Sequence, residues 1–166
     1  RYNCRVLVLE AKNDVANVTT KANSAILHAG YDPTPGTLMA ETNVRGVALA
    51  KELCEKLDVE REEIGSLVLA FGEEDERHLE KLYQQGLANG VPGIELLTAD
   101  EVHALEPNVS DKVTAALYAP TAAIVSPWEY ALALAETAVV NGCELRLSAP
   151  VTGIDRAGEG YRLHTP

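Results

Sequence analysis

Residues Arg5-Val6-Leu7-Val8-Leu9-Glu10 set an unbroken apolar run against a closing carboxylate. Apolar side chains in succession, rather than in alternation, suit a parallel strand buried on both faces. A glutamate ending such a strand offers two acceptor oxygens, as in a dinucleotide-binding fold that holds ribose hydroxyls about 20 residues after a glycine-rich phosphate loop. Counting back that distance from Glu10 runs past Arg1. The expectation is an internal piece of a longer chain, with the first βα unit and its glycine loop upstream.

Further along, Ser126-Pro127-Trp128-Glu129 gives a capping residue, proline at the first helical position and a glutamate at the third, so a helix is predicted from there to Asn141. Gly142 supplies a left-handed turn, and Cys143 to Leu147 reads as a second strand, parallel to Arg5–Leu9 through a right-handed crossover. The tail predicts a β-hairpin, with Val151–Arg156 pairing Tyr161–Thr165 across Ala157-Gly158-Glu159-Gly160.

Between the two parallel strands lies a large insertion. Asp32-Pro33-Thr34-Pro35-Gly36 is dense in turn formers and marks a boundary. From Leu38 to Leu57, Met39, Val44, Val47, Ala50, Leu53, Cys54 and Leu57 recur at helical steps. Ser66–Phe71 reads as a strand. An acidic helix follows, with Leu79, Leu82, Tyr83 and Leu87 on one side and Gly90 at its end; Glu73-Glu74-Asp75-Glu76 opens it as a solvated run facing the positive dipole end, not as a cation site. Ile94–Leu97 leads into Thr98-Ala99-Asp100-Glu101, a capping box ahead of a short helix that Pro107 stops. Lys112–Tyr118 and Ile124–Val125 read as strands. Residues 1–37 and 126–166 are thus expected to form a nucleotide-binding lobe and 38–125 an inserted α+β lobe, with a ligand cleft between them.

The 166 residues suffice for an ordinary core, and 46 % hydrophobic content argues against disorder. No apolar run approaches the roughly 18 residues of a membrane span. The formal charge of −11, from 14 basic and 25 acidic side chains, opposes binding to nucleic acid or to an anionic membrane. Cys4, Cys54 and Cys143 are odd in number and far apart, which disfavours a disulfide framework or a cysteine zinc site and favours a reducing cytoplasm. His78, His103 and His164 are scattered, form no metal set and read as surface residues.

Val6-Leu7-Val8-Leu9-Glu10-Ala11, Asn23-Ser24-Ala25-Ile26-Leu27-His28-Ala29-Gly30 and Pro35-Gly36-Thr37-Leu38 together resemble the FAD-dependent oxidoreductases of the D-amino-acid oxidase superfamily. Within it, Gly65-Ser66-Leu67-Val68-Leu69-Ala70, Ala116-Leu117-Tyr118-Ala119-Pro120-Thr121 and Pro127-Trp128-Glu129 resemble bacterial glycerol-3-phosphate dehydrogenases of the anaerobic type, with L-2-hydroxyglutarate oxidase a close relative. The resemblance implies an α/β fold: a partial FAD-binding Rossmann-like lobe carrying an inserted substrate lobe. It implies FAD as cofactor and a small anionic hydroxylated substrate oxidised by hydride transfer. The electron acceptor stays open, and the enzyme would lie in the cytoplasm or against the inner face of a membrane.

By the same resemblance, Glu10 and Ala11 meet the adenosine ribose, and Thr19, Thr20, Asn23 and Ser24 line the cofactor. Val151 presents its backbone to the adenine edge. The competing reading of the Thr/Asn/Ser cluster is a turn held by its own side chains. His28 follows an apolar triplet and precedes Ala29-Gly30, where a small backbone permits close approach of a flat ring. Imidazole is the side chain suited to take the alcohol proton near neutral pH, and the alternative is a histidine that orients its loop. Lys12 and Lys21 read as solvated, and Trp128 as a packing anchor. With the glycine loop missing, the piece alone is expected to be inactive. Two rivals are a Rossmann-like module that binds adenosine groups without redox work and an inactive remnant that dimerises through its exposed strand edge.

Overall fold

The computed structural model describes residues 4–166. In chain order it runs β1 (Leu7–Leu9), a 3-10 turn (Val18–Thr20), β2 (Ile26–Leu27), α1 (Leu38–Leu57), β3 (Arg61–Glu62), β4 (Ser66–Ala70) and α2 (Glu73–Asn89). Then follow β5 (Glu95–Thr98), α3 (Ala99–Leu105), β6 (Ala115–Ala119), β7 (Ala123–Val125), α4 (Pro127–Val140), β8 (Glu144–Arg146), β9 (Gly153–Ala157) and β10 (Gly160–His164). Two compact units emerge. The first is the described part of Arg1–Ser24 together with Leu57–Val59 and Ser126–Pro166; the second is Ala25–Lys56 with Glu60–Val125.

In the first unit β1 and β8 pair in parallel, Leu7 opposite Glu144 and Leu9 opposite Arg146, as the crossover reading expects. The Ser126 hydroxyl accepts the Glu129 N–H at the start of α4, with Pro127 at the first helical position. Gly142 leaves the helix at φ +89°. The hairpin forms with Ala157 opposite Gly160, and Gly158 takes φ +60° in its two-residue loop. One expectation fails: β1 is not buried on both faces. Val6, Leu7 and Val8 are 49 %, 46 % and 44 % exposed, because β8 is the strand's one sheet neighbour among the described residues.

The second unit is built on the antiparallel sheet β4-β6-β5, with Leu69 and Leu97 both opposite Ala116. Successive side chains of a strand face opposite ways, so Leu117 and Ala119 join one core with Leu79 and Leu82 of α2. Ala116 joins another, with Leu97, Val113 and Val102 of α3. This explains the unbroken apolar run of β4, which meets a helix-backed core on each face. The Thr98–Glu101 capping box forms as read, and Gly90 ends α2 in the left-handed conformation at φ +76°.

A smaller antiparallel sheet, β2-β7-β3, pairs Ile26 with Ile124 and Arg61 with Val125. Its two-residue strands β2 and β3 were too short for alternation to reveal. Pairing of β2 with β7 draws Ala25–Thr37 into the second unit, whereas the expected lobe boundary lay at residue 37.

Candidate functional site

In the first unit Glu10 sits half-buried at the carboxyl ends of the parallel pair, the place where open α/β sheets receive ligands. Its backbone is spoken for: the N–H donates to the Arg146 carbonyl at 2.9 Å and the carbonyl accepts the Ala149 N–H at 2.8 Å. Its side chain is aimed by the Lys12 N–H, which donates to Oε1 at 2.7 Å. Oε2 has no hydrogen-bond partner among the described residues. The Ser148 N–H closes the loop onto the Lys12 carbonyl at 2.7 Å. Ala11 and Lys12 are exposed beside it, and Val151, also exposed, lies between this loop and β9. One fixed and one open carboxylate oxygen can accept a hydroxyl donor without reorganising the loop.

Thr19 and Thr20 end the 3-10 turn. The Asn23 side-chain amide donates to both of their carbonyls, at 3.2 and 2.8 Å, so it holds the turn, as the self-capping reading proposes. The hydroxyls of Thr19, Thr20 and Ser24 are exposed and donate to no other described residue. Lys21 bonds Asn17 Oδ1 through Nζ at 2.8 Å, and its carbonyl accepts the Trp128 indole N–H at 3.2 Å. Trp128 is therefore not a packing anchor. At 56 % exposure it ties α4 to this turn by a hydrogen bond.

His28 belongs to the second unit, where it lines a cavity of about 410 Å³ with Tyr31, Asp32, Met39, Asn43 and His78. His28 and His78, unrelated by spacing, both line this cavity, and His78 is exposed, as the surface reading has it. His103 is half-buried in α3, and His164 meets Asp155 at 2.7 Å. The small Ala29-Gly30 backbone serves packing: a Cβ on Gly30 would lie 2.6 Å from Val44 Cγ2 and 2.9 Å from Asn43 Oδ1, so the close approach is to α1. Asn43 Oδ1 is buried without a hydrogen-bond partner among the described residues.

The loop that carries His28 is clamped by two amides of α2. Asn89 Nδ2 donates to the carbonyls of Gly30 and Pro33, at 2.9 and 2.8 Å, and Gln85 Nε2 to those of Tyr31 and Asp32, at 3.4 and 3.1 Å. Neither residue was singled out from the sequence. The available signal was a polar pair four residues apart beside Leu82 and Gly86 on the buried side of α2. Burial raises the Cys54 thiol above its ordinary pKa, with the Arg61 guanidinium opposing, so this cysteine is inert packing rather than a nucleophile. Among the described residues no group of three His, Cys, Asp or Glu side chains could hold a metal ion.

Residues 1–166 match the family described as "DAO: FAD dependent oxidoreductase". A glycerol 3-phosphate dehydrogenase from Caloramator mitchellensis is 49 % identical over 99 % of this chain, and the human mitochondrial L-2-hydroxyglutarate dehydrogenase is 32 % identical over 92 %. The chain spans about a third of each, 34 % and 32 % of their lengths. Dithionite-reduced L-alpha-glycerophosphate oxidase from Mycoplasma pneumoniae, a structure with FAD bound, superposes with a TM-score of 0.87 at 30 % identity, covering 96 % of this chain and 43 % of that one. Matched along its full length, this chain belongs to the FAD-dependent oxidoreductases of the DAO family.

Proposed function

We propose that this chain supplies the adenosine-gripping strand and a substrate-facing histidine of a flavoenzyme that oxidises glycerol 3-phosphate. The carrying observation is Glu10: a carboxylate at the carboxyl ends of two parallel strands, one oxygen fixed by the Lys12 N–H and the other directed to no described partner. These residues fit the sugar end of FAD, because a vicinal diol donates to acceptors and a carboxylate has only acceptors. Ala11 flanks the sugar, and Val151 offers backbone groups to the adenine edge. The hydroxyls of Thr19, Thr20 and Ser24 donate to cofactor oxygens, while Asn23 keeps their turn in shape.

When bound, FAD supplies the two-electron acceptor for hydride leaving the carbinol carbon. His28 accepts the hydroxyl proton of the substrate, held in place by the clamped loop. The relatives support glycerol 3-phosphate first and L-2-hydroxyglutarate second. No described helix is long and apolar enough to cross a membrane. We place the protein in the cytoplasm, on the strength of its free cysteines.

In the whole protein, Glu10→Ala should weaken FAD affinity by about tenfold or more, as read by flavin fluorescence on release. Unchanged affinity would remove the assignment. Flavin bleaching by glycerol 3-phosphate, set against L-2-hydroxyglutarate, separates the two substrates.

A further inference from the structure

A second cavity, of about 220 Å³, opens in the second unit between α1 and the segment that follows it. Its polar wall is Lys51, Arg61, Glu63 and Thr121; its apolar wall includes Val44 and Val47. Arg61 is unusual for a surface cation: its side chain is only 10 % exposed. Such a group is costly to withdraw from water unless its donors are matched. One is matched, by an ion pair from Nη2 to Glu63 Oε2, and the same oxygen faces Lys51 Nζ at 3.5 Å. A guanidinium carries five N–H donors, and Glu63 is the one acceptor it has among the described residues.

The charge count favours an anion. Hydrogen bonding from Arg61 holds the Glu63 carboxyl below the usual carboxylate range, so it is ionised across neutral pH. Two cations against one anion leave a formal +1. Thr121 adds a second sign: its Oγ1 is buried with no hydrogen-bond partner among the described residues, although a hydroxyl can both donate and accept.

We propose that this cavity binds a small carboxylate monoanion with a short aliphatic body, its carboxylate on Arg61, Lys51 and Thr121 and its carbons against Val44 and Val47. The planar guanidinium fork matches a carboxylate. The volume is that of roughly seven waters at about 30 Å³ each, below the range of drug-sized ligands and enough for a few carbons beyond the carboxylate. A phosphate dianion would leave the site with excess negative charge and offer nothing to the aliphatic wall.

Titration calorimetry of the whole flavin-loaded protein with butyrate, and separately with inorganic phosphate, tests this. Saturable one-site binding of butyrate is expected, with phosphate much weaker. Thr121→Val, nearly isosteric, should weaken butyrate about tenfold, and Lys51→Met, at an exposed position, should weaken it as well, with the flavin absorbance of both variants unchanged. His28→Ala should leave butyrate binding intact. Absence of saturable binding at millimolar butyrate, equal binding of phosphate, indifference to both cavity substitutions, or loss on His28→Ala would each overturn the proposal. The last outcome would place the anion in the histidine-lined cavity while leaving the flavoenzyme reading untouched.

Discussion

Asn89, in the last turn of α2, donates its side-chain amide to the carbonyl of Gly30 at 2.9 Å, across 59 residues of sequence. The same nitrogen reaches the Pro33 carbonyl at 2.8 Å, so a single side chain closes both ends of a four-residue loop. Asn89→Leu should cost about 1–3 kcal/mol, because it leaves part-buried carbonyls without a donor. Thermal melts give the cost, and faster amide exchange across residues 28–33, with the β4-β6-β5 sheet unaffected, would show that the loss is local.

His28→Ala in the whole enzyme should slow flavin reduction by about 10²–10⁴-fold if the imidazole takes the hydroxyl proton, with flavin content unchanged. Stopped-flow bleaching measures this directly. Normal turnover would move the base to another residue.

The capping box gives a pH signature. Glu101 accepts the Thr98 backbone N–H and the Thr98 hydroxyl, both at 2.8 Å, and the backbone bond contributes most to holding its carboxyl below the ordinary range. A carboxyl lowered in the folded state stabilises fully above its unfolded pKa, and that contribution is lost as pH falls through the folded value. Glu101→Gln should therefore lower the melting temperature at neutral pH, and the gap to the parent should start to narrow only as pH falls below about 4, the ordinary glutamate range. Melts across a pH series read it out. Thr98→Ala, which removes the cap itself, should cost about 1 kcal/mol.

Leu117→Ala should cost about 2–5 kcal/mol, since Leu117 is 1 % exposed in the α2-facing core and the cavity left behind adds to the lost transfer energy. Leu163→Ala, in the exposed hairpin, should stay within about 1 kcal/mol. Denaturant midpoints of the two variants make the comparison.

What the sequence revealed was local or strongly periodic. Ser126-Pro127 and Thr98–Glu101 announced their helices because a cap is decided by residues within one turn. The helical repeat from Leu38 to Leu57 gave α1 its observed bounds. Position on the page of the sequence said less about what covers what. Val6 to Val8 read as a doubly buried strand, yet burial depends on neighbours that the run itself does not specify. The two-residue strands β2 and β3 fall below the length at which alternation can be read. Of the candidate site, Glu10 at its strand end was legible, whereas the lining of one cavity by both His28 and His78 and the hold of Asn89 on Gly30 arise only when α2 folds back over the loop.

Strand β6 sends Ala116 and Leu117 into separate cores. A change of volume at either is answered by its own face alone, so the two sides can diverge independently over evolutionary time. The face that α2 covers, and with it the surroundings of His28 and His78, can be remodelled while the α3 side preserves the architecture.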